Sequence, residues 1–126
     1  MGGRETDWRI VTSTESDGFR PYDRYGRVVE GLSWKPLRYD ADAGTGSFLI
    51  RFASGAASLP HEHGGVEEFV VLDGYLVDAD GRRLAAGEVV SFAPGSRHHS
   101  QAPEGCTLAV FLRGRNRLLE SESAKS

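Results

Sequence analysis

The feature that most constrains this chain is its punctuation: sixteen glycines and five prolines are scattered through 126 residues and never massed into a linker. Between them lie short runs of β-branched and aromatic residues, and no segment keeps a convincing helical period over three turns. Ser47-Phe48-Leu49-Ile50-Arg51-Phe52 is the densest run, and residues 68–72, 75–77, 88–92 and 107–112 repeat the pattern. Residues 8–11 alternate weakly. Asp73-Gly74 separates 68–72 from 75–77, and Asp80-Gly81 reads as the tip of a type I′ hairpin, whose two central residues both need positive φ. Residues 113–119 leave room for one short terminal helix. Many short strands joined by glycine-rich turns predict an all-β sandwich or barrel.

A chain of this length fills one ordinary domain. The expected division is an N-terminal extension over 1–30 that can add a strand, a barrel over 31–114, and a C-terminal tail over 115–126. The polar end, 120–126, is expected to fray. Hydrophobic residues make up 39% and charged residues 26%, the balance of a globular protein. Net charge is −3 with no long Lys or Arg run, which argues against nucleic acid or an acidic membrane surface as partner. No apolar run is long enough to span a bilayer, and residues 1–7 lack the apolar stretch of a secretory signal. Cys106 is the only cysteine, so an internal disulfide and a thiolate-based zinc site are excluded. A cytoplasmic location is the expectation.

All four histidines lie between positions 61 and 99. His61 and His63 are two apart, so on an extended strand both imidazoles leave the same face. Glu67 has the same parity, and His98 comes from a later strand. Three neutral imidazoles and one carboxylate suit a divalent transition metal such as iron, zinc, manganese or nickel. Glu68 is the alternative carboxylate and His99 the alternative imidazole. Arg51, Arg97 and Ser96 are candidate substrate contacts, since an arginine in a cavity can clamp a carboxylate. Cys106 is expected to pack as a small hydrophobe.

These residues resemble the two motifs of the cupin superfamily. Its first motif runs Gly, five residues, His-x-His, three or four residues, Glu, six residues, Gly; here Gly55, His61, His63, Glu67 and Gly74 satisfy every interval. The second motif opens at Gly87 and closes on Gly95-Ser96-Arg97-His98, with Ala93 where the family has its first proline. Counting from Pro94 selects His99, whereas counting from Gly95 selects His98; the glycine sets the turn, which favours His98. Only Glu67 keeps six residues before Gly74. The stretch from His98 to Glu104-Gly105-Cys106 is also similar to the cupin domain of ChrR-type anti-sigma factors.

The resemblance implies a double-stranded β-helix, or jelly roll, with the metal inside and Phe69 and Val71 on the same inner face as Glu67. Either Phe48, Ile50 and Phe52 or Leu49 and Arg51 would line the cavity. It also implies a homodimer and a small-molecule ligand or substrate. An iron-dependent dioxygenase acting on a small oxygenated organic molecule is one expected function. A non-catalytic metal-dependent sensor or binding module is the second, and a metal that only steadies the barrel is the third. Direct sigma-factor inhibition is not expected, because no His or Cys precedes His61.

Overall fold

The computed structural model describes residues 8–119. Among them there is no helix, and the strands run in chain order as β1 (Arg20–Pro21), β2 (Leu32–Asp40), β3 (Thr45–Phe52), β4 (Ala56–Ala57), β5 (His61–His63) and β6 (Glu67–Asp78). They continue as β7 (Arg83–Ala85), β8 (Val89–Phe92), β9 (Arg97–His98), β10 (Ser100–Ala102), β11 (Cys106–Leu112) and β12 (Asn116–Leu118). The large sheet follows the order β1-β2-β3-β11-β6-β10-β4, with β7 and β8 also on β6, and a small sheet runs β12-β5-β9. Every pairing is antiparallel. The protein is the all-β jelly roll expected from the sequence.

Strand β6 joins the parts. Its first half pairs with β8 and β11, and its second half with β7 and β10. The two runs expected on either side of Asp73-Gly74 are therefore one strand, bent by a bulge where Val71 faces Leu108 and Asp73 faces Thr107. Gly74 has φ +76°, and a Cβ there would lie 2.2 Å from the Gly105 carbonyl oxygen, so only glycine fits the bend.

Three other expectations change. The β6–β7 hairpin is present, but only Gly81 has positive φ. Gly81 N donates to the Asp78 carbonyl and Asp78 N to the Arg82 carbonyl. That is a three-residue loop with a left-handed glycine rather than type I′, and Asp80 Oδ1 satisfies Arg82 N at 2.9 Å. Residues 8–11 form no strand. Residues 113–119 hold β12 rather than a helix, because the β5 edge offers an unpaired ladder and Asn116, Arg117 and Leu118 fill it. Part of the expected tail thus belongs to a sheet; residues 120–126, expected to fray, lie outside the described residues.

Alternation decides the core. Phe48, Ile50 and Phe52 point inward with Phe69, Val71, Leu108 and Val110, all at most 5% exposed. Phe48 sits among the rings of Trp34, Tyr39 and Tyr22, at centroid distances of 5.3, 5.8 and 6.2 Å. Arg51 points outward. Its Nη2 donates to the Thr14 carbonyl at 2.6 Å and its guanidinium lies 4.1 Å from the Phe19 ring. Lys35 Nζ donates to the carbonyls of Ser13 and Glu15, so this pair of side chains straps the N-terminal extension across the outside of β2 and β3. Cys106 is buried in the core, where burial pushes its thiol up to about 12.

Candidate metal centre

The small sheet builds most of the site. Its register sets His61 opposite His98 and His63 opposite Asn116. His61 and His63 share the inner face of β5, while Glu62 between them faces out and takes hydrogen bonds from Arg97 and Arg117 at 3.0 and 2.8 Å. Glu67 opens β6 on the inside. One ligand atom from each of His61, His63, Glu67 and His98 lies within 4.8 Å of all the others, and all four residues are buried. The imidazole centroids stand 4.6–4.9 Å apart. Glu67 Oε1 is 3.1 Å from His63 Nε2 and 3.9 Å from His61 Nε2, and Oε2 is 3.9 Å from His98 Nε2.

The alternatives separate cleanly by side. Glu68 faces outward, accepting from Ser91 Oγ at 2.9 Å and pairing with Arg113. His99 is exposed. Arg97 is an outer-face residue bound to Glu62.

Each imidazole is held from behind. His61 Nδ1 donates to the Leu59 carbonyl at 2.7 Å. Ser96 Oγ donates to the Ala93 carbonyl at 2.6 Å, so it accepts from His63 Nδ1 at 2.9 Å. His98 Nδ1 donates to Asp78 Oδ1 at 2.8 Å, and Ser100 Oγ donates to the same oxygen. With every Nδ1 committed as a donor, each Nε2 carries its lone pair into the centre. None of the three buried Nε2 atoms has a hydrogen-bond partner among the described residues. Buried polar atoms are seldom left so, and a cation at their common focus resolves all three together. The donor set therefore fits a divalent transition metal.

Electrostatics agree. Burial pushes the His61 pKa down to about 4, against the opposing pull of Glu67, so its imidazole is neutral near pH 7. Burial alone would raise Glu67, but the close approach of His63, the neighbouring His61 and the Asn116 amide outweigh it and bring the carboxyl down to about 2. Asp78 is also lowered: burial acts upward, and the hydrogen bonds from His98 and Ser100 prevail.

Asn116, Asp78, Tyr22, Arg24 and Tyr25 are the site residues that motif reading misses. Asn116 Nδ2 donates to Glu67 Oε1 at 3.0 Å. It reaches there because 113–115 pack directly on Gly64 and Gly65; a Cβ on Gly64 would come within 2.2 Å of the Arg115 carbonyl. Gly64 and Gly65, paired directly after His63, are the one sequence signal of that close approach. Tyr22, Arg24 and Tyr25 line a cavity of about 50 Å³ together with His61, Glu67 and His98. Phe48, Ile50 and Phe52 supply part of its apolar lining.

The family model for the ChrR cupin-like domain matches residues 21–115. The chain belongs to that family. This ChrR cupin-like protein has no match among curated proteins. Solved structures with its fold include an acetylacetone dioxygenase from Acinetobacter johnsonii, at 15% identity and TM-score 0.68, covering 82% of this chain and 74% of that one. The polyketide cyclase RemF from Streptomyces resistomycificus aligns at 18% identity and TM-score 0.62, over 87% and 86% of the two chains. A sugar phosphate isomerase of the cupin superfamily from Silicibacter pomeroyi reaches 30% identity at TM-score 0.52, over 65% of this chain and 59% of its own. Three different reactions are named on one fold, so likeness fixes the architecture of this cupin-like chain and leaves its chemistry to the site.

Proposed function

We propose that His61, His63, Glu67 and His98 bind one divalent transition metal and that the protein is a small metalloenzyme, a dioxygenase or a relative, acting on a small oxygenated organic molecule. The observation that carries this is the set of three buried Nε2 atoms, unpartnered among the described residues and converging on one buried carboxylate. A metal held there supplies Lewis-acid chemistry and, if it is iron, electron transfer. The protein's part is to hold the imidazoles as Nε2 donors through Leu59, Ser96 and Asp78, to keep Glu67 ionised, and to shield the reacting molecule with Phe48, Ile50 and Phe52. Four protein ligands would leave such a metal able to bind water, oxygen or substrate as well.

Metal analysis of the purified protein and of His63→Ala tests the site. The parent is expected to hold close to one equivalent, and the variant to lose more than the roughly tenfold to hundredfold in affinity that supporting residues cost. Equal content in both sinks the ligand assignment. Oxygen uptake by the iron-loaded protein with β-diketones, hydroxyketones and thiols tests the enzyme reading.

The family match favours a second reading, a non-catalytic metal-dependent sensor. Stoichiometric metal with no uptake on any substrate class supports it. We also propose a homodimer through the outer face of the large sheet, where Val89, Phe111 and Leu72 are 74%, 49% and 42% exposed. Light scattering after size exclusion reads the mass directly.

A further inference from the structure

We propose that Arg24 is the specificity residue of this cavity and that the molecule it receives is a small carboxylate with a short apolar body. The inference rests on the metal-binding reading above and deepens it.

Arg24 is half-buried and lines the same cavity as His61, Glu67 and His98. Its Nη1 donates to Tyr22 Oη at 2.7 Å and its Nε to Tyr39 Oη at 3.1 Å. The guanidinium lies 4.7 Å from the Tyr25 ring and 5.5 Å from Phe48. Two of its five N–H groups are thereby used, and the remaining three meet no acceptor among the described residues. No Asp or Glu among those residues forms an ion pair with it, whereas the outer-face Arg97, Arg113 and Arg117 all pair with a glutamate.

Neutral phenols orient a guanidinium without cancelling its charge. Burial pushes the Tyr22 hydroxyl far up, so it remains a phenol. The carboxylates of Glu67 and of Asp78 behind His98 together balance a divalent ion, which leaves the Arg24 guanidinium as the uncompensated charge of the loaded cavity. An anion is the complement of such a space. A carboxylate matches the remaining N–H groups of a guanidinium with charge-assisted hydrogen bonds. The small cavity and its Phe48, Ile50 and Phe52 lining match a short alkyl chain for the rest of the molecule.

The test is calorimetric titration of the zinc-loaded protein with propanoate and with its neutral isostere propanamide, in the parent, Arg24→Gln and Arg24→Lys. The parent is expected to prefer propanoate by about tenfold or more, the scale of a charge-assisted hydrogen-bond pair. Arg24→Gln should lose that preference while keeping parental zinc content and melting temperature, and Arg24→Lys should keep part of it. Propanoate affinity unchanged in Arg24→Gln, or absent in the loaded parent, overturns the assignment. Should Arg24→Gln not fold, Arg24→Lys decides: reduced propanoate affinity supports the proposal and parental affinity refutes it. If the parent takes up no zinc, the metal reading fails separately. The same titrations on the metal-free protein then judge Arg24 alone, with Arg24-dependent propanoate binding in its favour and none against it.

Discussion

The imidazole wall of the cavity is fixed by a hydrogen bond behind each ring, whereas the aromatic wall around Phe48 is fixed by ring against ring. Directional bonds at Leu59, Ser96 and Asp78 set a tautomer and an aim. Edge-on contacts among Tyr22, Trp34, Tyr39 and Phe48 set only shape and volume. The first wall is therefore sensitive to proton count and single polar atoms, and the second to lost volume.

Phe48→Ala separates the two walls with the largest effect. Removing a ring that is 2% exposed should cost about 3–5 kcal/mol in chemical denaturation, while metal stoichiometry persists. Loss of metal together with stability would show that the walls are one unit.

Acid should act on the imidazole wall alone. His61 titrates near 4 when folded against 6.5 for the free side chain, so the unfolded state binds the extra proton between those values. Stability of the metal-free protein is unaffected by this group above pH 6.5, falls as pH drops through that window, and by pH 4 is lower by about 3 kcal/mol. Glu67, depressed from 4.5 to about 2, holds stability above 4.5 and loses it as pH falls toward 2. Denaturation midpoints measured across this range check both; a flat profile contradicts the burial of His61 as a neutral group.

A smaller effect is expected from Asp78→Asn, which leaves His98 its place but weakens the bond that aims it. Competition with a chelator should show metal affinity reduced about tenfold to hundredfold, with the melting temperature of the metal-free protein little changed. Unchanged affinity would mean that β9 alone orients the ring. Least of all, Arg51→Ala should cost under about 1 kcal/mol, because its contacts to Thr14 and Phe19 are exposed. Limited proteolysis is expected to cut the freed N-terminal extension faster, with metal content unaltered.

The histidine wall was legible because its spacing is local. His61, His63 and Glu67 fall within seven residues of one another; strand parity carries both imidazoles to one face of β5, and Glu67 opens β6 directly after the bend. His98 against His99 needed the glycine count and is separated in the fold by opposite sides of one short stretch. The other wall carries no such signature. Tyr22, Arg24 and Tyr25 sit in a segment that reads only as an extension, and Asn116 in one that reads as a tail.

By itself the sequence determined the strand-rich class, the jelly-roll resemblance and the candidate set of metal ligands, because glycine punctuation, alternation and motif spacing are properties of neighbouring residues. Only the tertiary structure decided that β12 pairs with β5, that Phe48, Ile50 and Phe52 rather than Leu49 and Arg51 face inward, and that Arg24 enters the cavity. Those outcomes depend on which distant strands pair and which face they then cover, and pairing energy between remote segments leaves no local mark in the chain.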